Sequence, residues 1–446
     1  MSINMENKTG EKLKSGFDGK NPPAQQIIDK CVHCGFCLST CPSYRVIGKE
    51  MDSPRGRIYL MNAIHRGEAG IDETTTSHFD TCLGCLACVT TCPSGVEYDR
   101  LIGAMRPQIV RNYKRNWWDR LIRGFIFFLF PYPRRLGLLL PLLWLYQVSG
   151  LQAIVRGSGV LGFFPRLASM ESILPRIRLS SLYRKYPYII PAQGEKRYRV
   201  GVILGCVQRL FFSNVNEATI RVLAANGCEV VIPANQGCCG ALLAHQGEEL
   251  KAQSLARQMI DAFEEAEVDY VIINAAGCGH TLKEYDHILR EDPDYKERAK
   301  GFVTKVRDIH EFLVEIGFDL SLRPISDKPV KVVYQDACHL LHGQRISLQP
   351  RDLLRKIPNV VLEEPVDAAL CCGSAGVYNM LQPTVAEELG QQKVGNLLNT
   401  GAEIIASPNP GCALQIGKHL RIEGRGVKVF HPIELLDWAL RGEVII

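Results

Sequence analysis

CVHCGFCLSTCP at residues 31–42 and CLGCLACVTTCP at residues 82–93 decide how the N-terminal part of this chain folds. Each is C-x2-C-x2-C-x3-C-P. Three thiolates on one tight loop meet three irons of one cubane, and the fourth is carried by the chain beyond it toward a second cubane. The proline that follows keeps the chain from continuing as one uniform helix. The spacing therefore predicts that Cys31, Cys34, Cys37 and Cys92 hold one [4Fe–4S] cluster, and that Cys82, Cys85, Cys88 and Cys41 hold another. Forty residues, Pro42 to Thr81, separate the runs, more than a minimal ferredoxin hairpin needs. Within them MDSPRGRIYLMNAIH (51–65) predicts a helix, with Asp52 or Ser53 as N-cap and Pro54 in the first turn. Arg55 and Arg57 read either as groups facing a cluster or as a solvated helix start. An all-helical ferredoxin domain is expected over residues 20–110.

The rest of the composition agrees with a metal-bearing globular protein. The chain has 446 residues, 46% hydrophobic and 22% charged, with a net charge of +5 and 17 cysteines. That balance excludes a disordered, collagenous or multi-span membrane chain. The Met1 to Lys20 stretch has no apolar core of the signal-peptide kind. Without export, clustered cysteines read as metal ligands or redox groups rather than disulfides.

The second half repeats itself. Cys206, Cys238, Cys239 and Cys278 form one set, and Cys338, Cys371, Cys372 and Cys412 another, at offsets of 132, 133, 133 and 134 residues. GCCGA matches LCCGSAG, AAGCG matches NPGCA, and DIHEFLVEIG matches VFHPIELLDWAL, which sets His310 opposite His431. The period is that of an internal duplication of about 130 residues. Each copy alternates apolar strands with helical stretches. YRVGVILGC, EVVIPAN and VDYVIINAAGC flank LKAQSLARQMIDAFEEA, and VKVVYQDAC, NVVLEEP and AEIIASPNPGC flank TVAEELGQQKVGNLLNTG. The expected fold is parallel α/β, with each cysteine at or just beyond the C-terminal end of a strand. Boundaries of 196–325 and 326–446 follow. The eight cysteines read in three ways: ligands of one or two further iron–sulfur centres, thiol–disulfide pairs at the adjacent cysteines, or small buried apolar residues. Cys228 belongs to neither set and is expected in the core. His33, His245, His280 and His339 lie near cysteines in the sequence, where a histidine either tunes a cluster or is satisfied structure.

Between the halves, over 111–195, lies a basic and apolar helical connector. From Arg100 to Ile190 there are fifteen Lys and Arg against two acids. Leu136 to Val155 is twenty residues without charge, about the length that spans hydrocarbon. Its prolines, glycines and polar residues weaken a spanning reading. Trp117, Trp118, Tyr132 and Trp144 among arginines fit a helix lying on a membrane surface, and core or partner-facing helices are the third reading. No nucleic-acid fold signature accompanies the basic segment, so no nucleic-acid partner is expected. No G-x-G-x-x-G, nucleophile elbow or H-E-x-x-H appears, and no catalytic residue is assigned. Clusters move single electrons, so the chain reads as a relay.

The stretches CVHCGFCLSTCPSYRVIGKEMDSPRGRIYL and CLGCLACVTTCPSGVEY, followed by two CCG domains, resemble the iron–sulfur subunits of glycolate oxidase over nearly the whole chain. The order of domains is shared with lactate-utilisation subunits, the anaerobic glycerol-3-phosphate dehydrogenase anchor subunit and heterodisulfide reductase. The resemblance implies flavoprotein partner subunits that carry FAD and oxidise glycolate to glyoxylate. It implies electron delivery to a membrane acceptor, with quinone expected, from the cytoplasmic side of the cell membrane, and no activity of the isolated chain on the substrate. In heterodisulfide reductase-like domains the last cysteine begins a C-x-x-C pair, and five thiolates hold a noncubane cluster. Here Thr281 and Gln415 stand at the fifth position, so that cluster and disulfide reduction are not implied.

Overall fold

The computed structural model describes residues 15–182 and 184–445. The first fourteen residues of the Met1–Lys20 stretch, on which the reading about export rests, lie outside them. Two compact units divide the chain. One takes Met1–Arg123 with Leu243–Glu249, and the other takes Gly124–Leu242 with Leu250–Ile446.

Among its described residues the first unit is helical throughout. Its helix Pro54–His65 starts where two sequence signals coincide. The Ser53 hydroxyl accepts the Gly56 N–H at 3.1 Å, and Pro54 fills the first position, where no N–H is needed. Gly56 is obligatory there, since a Cβ would lie 2.0 Å from the Glu50 carbonyl oxygen. The helix buries Ile58, Met61 and Ile64 against Leu101, Met105 and Ile109, which recur every fourth residue along the helix Tyr98–Asn112. Each such side chain contributes about 1.5–3 kcal/mol on burial. The forty residues between the cysteine runs are thus the core-forming part of this unit, through Pro54–His65 and the helix Glu73–Asp80.

Among its described residues the second unit holds nine strands in two sheets. The first sheet contains β1 (Ile189–Ile190), β2 (Tyr198–Val202), β3 (Cys228–Val231), β4 (Tyr270–Ile273) and β5 (Val306–Asp308), in the order β1-β3-β2-β4-β5. The second contains β6 (Val330–Tyr334), β7 (Val360–Glu363), β8 (Ile404–Ala406) and β9 (Lys428–Phe430), in the order β7-β6-β8-β9. All pairings are parallel except β1 with β3. Leaving β1 aside, the two sheets share one strand order. In each, the chain steps from its first strand to one side and then crosses to the other, which leaves a crevice at the carboxyl ends. The helices Glu249–Glu264 and Pro383–Leu398 form the crossovers. The three-residue strands β5 and β9 and the two-residue β1 carry too little pattern to be read from sequence. One core runs through both sheets: Val200, Val230 and Ile272 share it with Val332 and Ile404, closed by Phe312 and Leu435.

The connector forms the helices Trp117–Leu129, Pro133–Val148, Leu151–Gly157 and Pro165–Ser172. The uncharged run Leu136 to Val155 is not one helix. It breaks at Ser149–Gly150, where Gly150 takes a left-handed φ of 80°. Among the described residues no single helix is long and apolar enough to cross a membrane, and the pair Trp117–Leu129 and Pro133–Val148 bends by 104°.

Candidate functional site

The two cysteine runs of the first unit share one backbone plan. In each, the third and fifth residues are left-handed: His33 (φ 54°) and Gly35 (87°) in the first, Gly84 (65°) and Leu86 (65°) in the second. Left-handed residues set among right-handed ones turn successive N–H groups inward, forming a cradle for negative charge. For His33 and Leu86 the conformation costs about 1–2 kcal/mol each. A guanidinium lies against each glycine. A Cβ on Gly35 would sit 2.8 Å from Arg55 Nη1, and one on Gly84 would sit 3.1 Å from Arg106 Nη1. Arg55 also donates to the His33 carbonyl at 3.2 Å, and Arg106 to the Cys82 carbonyl at 2.8 Å. Short helices, Phe36–Thr40 and Ala87–Thr91, end at Cys41 and Cys92, whose extended backbone (ψ 113° and 115°) is what a following proline enforces.

That kink sends each fourth cysteine away from its own loop. One cavity is lined by Cys31, Cys34, Cys37 and Cys92, with Arg55 and Cys88 at its wall. The other is lined by Cys41, Cys82, Cys85 and Cys88, with Arg57 and Tyr98. The two differ in exposure. Cys34 is exposed, whereas Cys41, Cys82 and Cys85 are buried. Arg57, 1% exposed, is held by the His78 carbonyl (2.6 Å), the Ser43 hydroxyl (3.0 Å) and the Thr81 hydroxyl (2.8 Å). Ser43 Oγ lies 3.3 Å from Cys41 Sγ.

The electrostatics follow from crowding. Burial pushes the Cys37 thiol up to about 11. Burial and the neighbouring thiols Cys85, Cys82 and Cys41 raise Cys88 far above its ordinary value. Burial works to raise Cys82 too, but the Arg57 and Arg106 charges, the Gly84 N–H and the Tyr98 hydroxyl outweigh it, so this thiol ionises below its usual range. Four thiols around each N–H-lined cavity, with arginines as the cations at both walls, fit the donor set and charge of a four-iron cluster.

In the second unit the two cysteine sets sit beyond equivalent strands. Cys206 follows β2, Cys238 and Cys239 follow β3, and Cys278 opens the helix Ala276–Leu282 after β4. Cys338 follows β6, Cys371 and Cys372 follow β7, and Cys412 opens the helix Pro410–Ile422 after β8. Each set forms a row of thiols in contact. Cys206 and Cys238 sulfurs are 3.4 Å apart, and Cys239 continues to Cys278. Cys371 lies between Cys338 and Cys372, and Cys372 meets Cys412. The CCG glycines turn these loops: Gly240 and Gly373 have φ of 78° and 82°, and their absent Cβ atoms face Ala252 and Ala386 carbonyl oxygens at 3.3 and 2.6 Å. Cys228 is fully buried in the core.

The sets are not equivalent. Lys393, fully buried, donates to the Ala368 carbonyl at 2.6 Å beside Cys372 and Cys412, and burial pulls its pKa below the usual lysine value. In the first copy Met259 takes the matching place. Contacts from the Cys371 and Cys412 thiols hold Cys372 well below its ordinary value against the effect of burial, with the Ser374 N–H and Lys393 assisting. Asn409 joins the two sets: its oxygen accepts the Gly277 N–H (3.2 Å) and its amide reaches Cys412 Sγ (3.4 Å). His280 and His339 rings lie 4.9 Å apart, and His310 and His431 stack at 5.4 Å. His245 lies in the segment belonging to the first unit. At the two fifth-ligand positions Thr281 bonds the Gly277 carbonyl (3.3 Å) and Gln415 bonds Ala386 and Asn379 (3.0 Å each). Among the described residues no three His, Cys, Asp or Glu side chains gather around one point as a single metal ion requires. Sequence reasoning gave no role to Ser43, Tyr98 and Asn409, which lie inside the quoted cysteine stretches, and missed Arg106 and Lys393, which a helix carries back to the cysteines they face.

Three family models match. A 4Fe-4S dicluster domain covers residues 27–96, and the linker region of the glycolate oxidase iron-sulfur subunit covers 118–174. A cysteine-rich CCG domain matches twice, over 200–283 and 332–417. Among curated proteins, the chain is 42% identical to a probable glycolate oxidase iron-sulfur subunit of Bacillus subtilis, across 92% of this chain and 93% of that protein. It is 34% identical to the glycolate oxidase iron-sulfur subunit of Escherichia coli, across 94% and 96%. Lactate utilization protein A of an Exiguobacterium matches at 28% identity, across 53% of this chain and 96% of that protein. These matches place an iron–sulfur electron-transfer role on the fold described above, and the chain belongs to the family of glycolate oxidase iron-sulfur subunits.

Proposed function

We propose that this chain relays electrons from glycolate oxidation, through [4Fe–4S] clusters, to a membrane acceptor of the quinone class. The observation that carries the reading is the exchange of fourth cysteines: Cys92 lines the cavity of the first run and Cys41 that of the second. On this reading Cys31, Cys34, Cys37 and Cys92 hold one cluster, and Cys82, Cys85, Cys88 and Cys41 the other. The clusters supply one-electron transfer. The chain's own residues hold the thiolates, exclude water from the inner cavity and place positive charge beside it. FAD and the hydride chemistry belong to flavoprotein partner subunits, so the isolated chain does not turn over the substrate. The matched repeats 200–283 and 332–417 support reading the second half as a duplication whose cysteine sets hold further clusters. The basic connector, with Leu138, Leu142 and Leu145 exposed along one helix, supports peripheral attachment to the cytoplasmic face of the cell membrane.

The test is anaerobic purification of the chain with its flavoproteins, followed by cluster absorbance on adding glycolate, D-lactate or glycerol 3-phosphate. Fast bleaching by glycolate is expected. Bleaching by another of the three alone overturns the substrate assignment, and no bleaching with flavoprotein present overturns the relay. Iron above about eight atoms per chain, the content of two cubanes, is expected if the second-half cysteines bind clusters.

A further inference from the structure

The two thiol rows of the second unit are one bridge apart. Gly277, beside Cys278 at the end of the first row, donates its N–H to Asn409 Oδ1 at 3.2 Å. The amide of the same Asn409 reaches Cys412 Sγ, at the end of the second row, at 3.4 Å. With the rows so close, the charge beside each decides where an added electron rests.

The cations beside the rows differ. Lys393, on the crossover helix Pro383–Leu398, is 0% exposed and donates to the Ala368 carbonyl at 2.6 Å. Among the described residues no carboxylate pairs with it. Asp336, whose charge acts on it, is itself bound by both arms of Arg351 at 2.9 and 2.7 Å. The groups left acting on the ammonium are Cys372, Cys412 and Cys371. A buried ammonium is strongly disfavoured unless an anion lies beside it, so this row calls for net negative charge. Neutral thiols or a disulfide do not supply that charge, whereas metal-bound thiolates do.

The first row lacks such a group. Met259, on the helix Glu249–Glu264, stands in the matching place and is equally buried. Arg209 acts at the opposite, Cys206 end of that row, is part-exposed and has the Arg134 charge working against it. Water screens Arg209, while the charge of Lys393 acts across a low-dielectric interior.

We propose that Lys393 makes the second cysteine set the electron-accepting member of the pair, so that electrons run from the first set, across Asn409, to the second. The proposal rests on the reading that both sets hold clusters. One electron leaves the first centre and the same electron arrives at the second; no bond forms or breaks and no proton moves. Lys393 offsets the negative charge that arrives.

The experiment is potentiometric titration of the anaerobically purified, cluster-loaded chain, followed by electron paramagnetic resonance. Cys278→Ser and Cys412→Ser assign the signals, each altering that of its own set. The second-set midpoint is expected above the first-set midpoint. Lys393→Gln keeps a donor for the Ala368 carbonyl and removes the charge. It is expected to lower the second-set reduction constant at least tenfold, which is about 59 mV for one electron, and to move the first-set midpoint less. Lys393→Arg, which keeps the charge in altered packing, is expected to lose much less. Where Lys393→Gln does not load the second set, Met259→Lys carries the test and is expected to raise the first-set midpoint. A first-set midpoint at or above the second, midpoints unmoved by these charge changes, or equal losses in the Gln and Arg variants overturn the proposal and leave the relay standing. About eight irons per chain with neither second-unit signal overturns the reading beneath it, and the proposal with it.

Discussion

For Arg57 the structure selects one of the two roles that its place at a helix start allows. A charge at a helix start is usually solvated, yet this one is buried beside Cys82 and Cys41 with its donors engaged. In a dry cavity a fixed cation offsets the cost of adding an electron to an already negative cluster. Arg57→Gln is therefore expected to lower the midpoint potential of the inner cluster and leave the outer one unmoved. Arg57→Lys, which disturbs the same hydrogen bonds but keeps the charge, is expected to restore most of it. Potentiometric titration followed by electron paramagnetic resonance reads both, and equal shifts in the two variants would reduce Arg57 to a packing role. Gly373 is constrained by backbone. Its φ is 82° and its missing Cβ faces a carbonyl oxygen at 2.6 Å. Gly373→Ala is expected to cost about 2 kcal/mol or more. Gly301, inside the helix Lys296–Lys305 with open space around its Cβ, provides the control, and Gly301→Ala is expected to gain up to about 1 kcal/mol. Urea unfolding of both variants checks this.

At the scale of elements, the connector helices leave apolar surface uncovered. Leu138, Leu142 and Leu145 are 77%, 64% and 54% exposed at helical spacing, and Phe163, at the end of the short segment Val160–Phe163 beyond the helix Leu151–Gly157, is 83% exposed. Each leucine inserted into an interface contributes about 1.5–3 kcal/mol. Leu138→Asp with Leu142→Asp is expected to weaken binding to anionic lipid vesicles by at least about tenfold while leaving circular dichroism unchanged, since both side chains already face solvent. Unaltered co-sedimentation would exclude this face from membrane contact. The same elements show where sequence reading loses resolution. Ser149 and Gly150 already weaken the apolar run to Val155 in the sequence, but several other residues do so equally, and only the left-handed turn at Gly150 picks out the place where the helix ends.

At the scale of the molecule, the two α/β repeats share one core, and a buried carboxylate lies where they meet. Glu434 is 5% exposed, and burial raises its pKa to about 7, with the His431 N–H, Asn214 and Arg221 opposing and Asp437 assisting. The folded chain therefore binds a proton that the unfolded chain releases near its ordinary value of 4.5. This contribution is fully present below about 4.5 and is lost as pH rises through about 7. Relative to Glu434→Gln, the native chain is expected to lose stability between those limits and stay level above them; a flat difference in urea midpoints across this range would show that Glu434 does not titrate on folding. By itself the sequence determined the local items. Cysteine spacing with a trailing proline, the N-cap Ser53 and the 133-residue period depend on neighbours along the chain, and each is readable without a fold. Tertiary structure alone decided that Arg57 is buried, that Arg106 lies against the second cysteine loop, and that Lys393 distinguishes one cysteine set from the other. Such residues lie far beyond a helical turn from the groups they meet, and no local pattern encodes a contact that only the packing of helices and sheets creates.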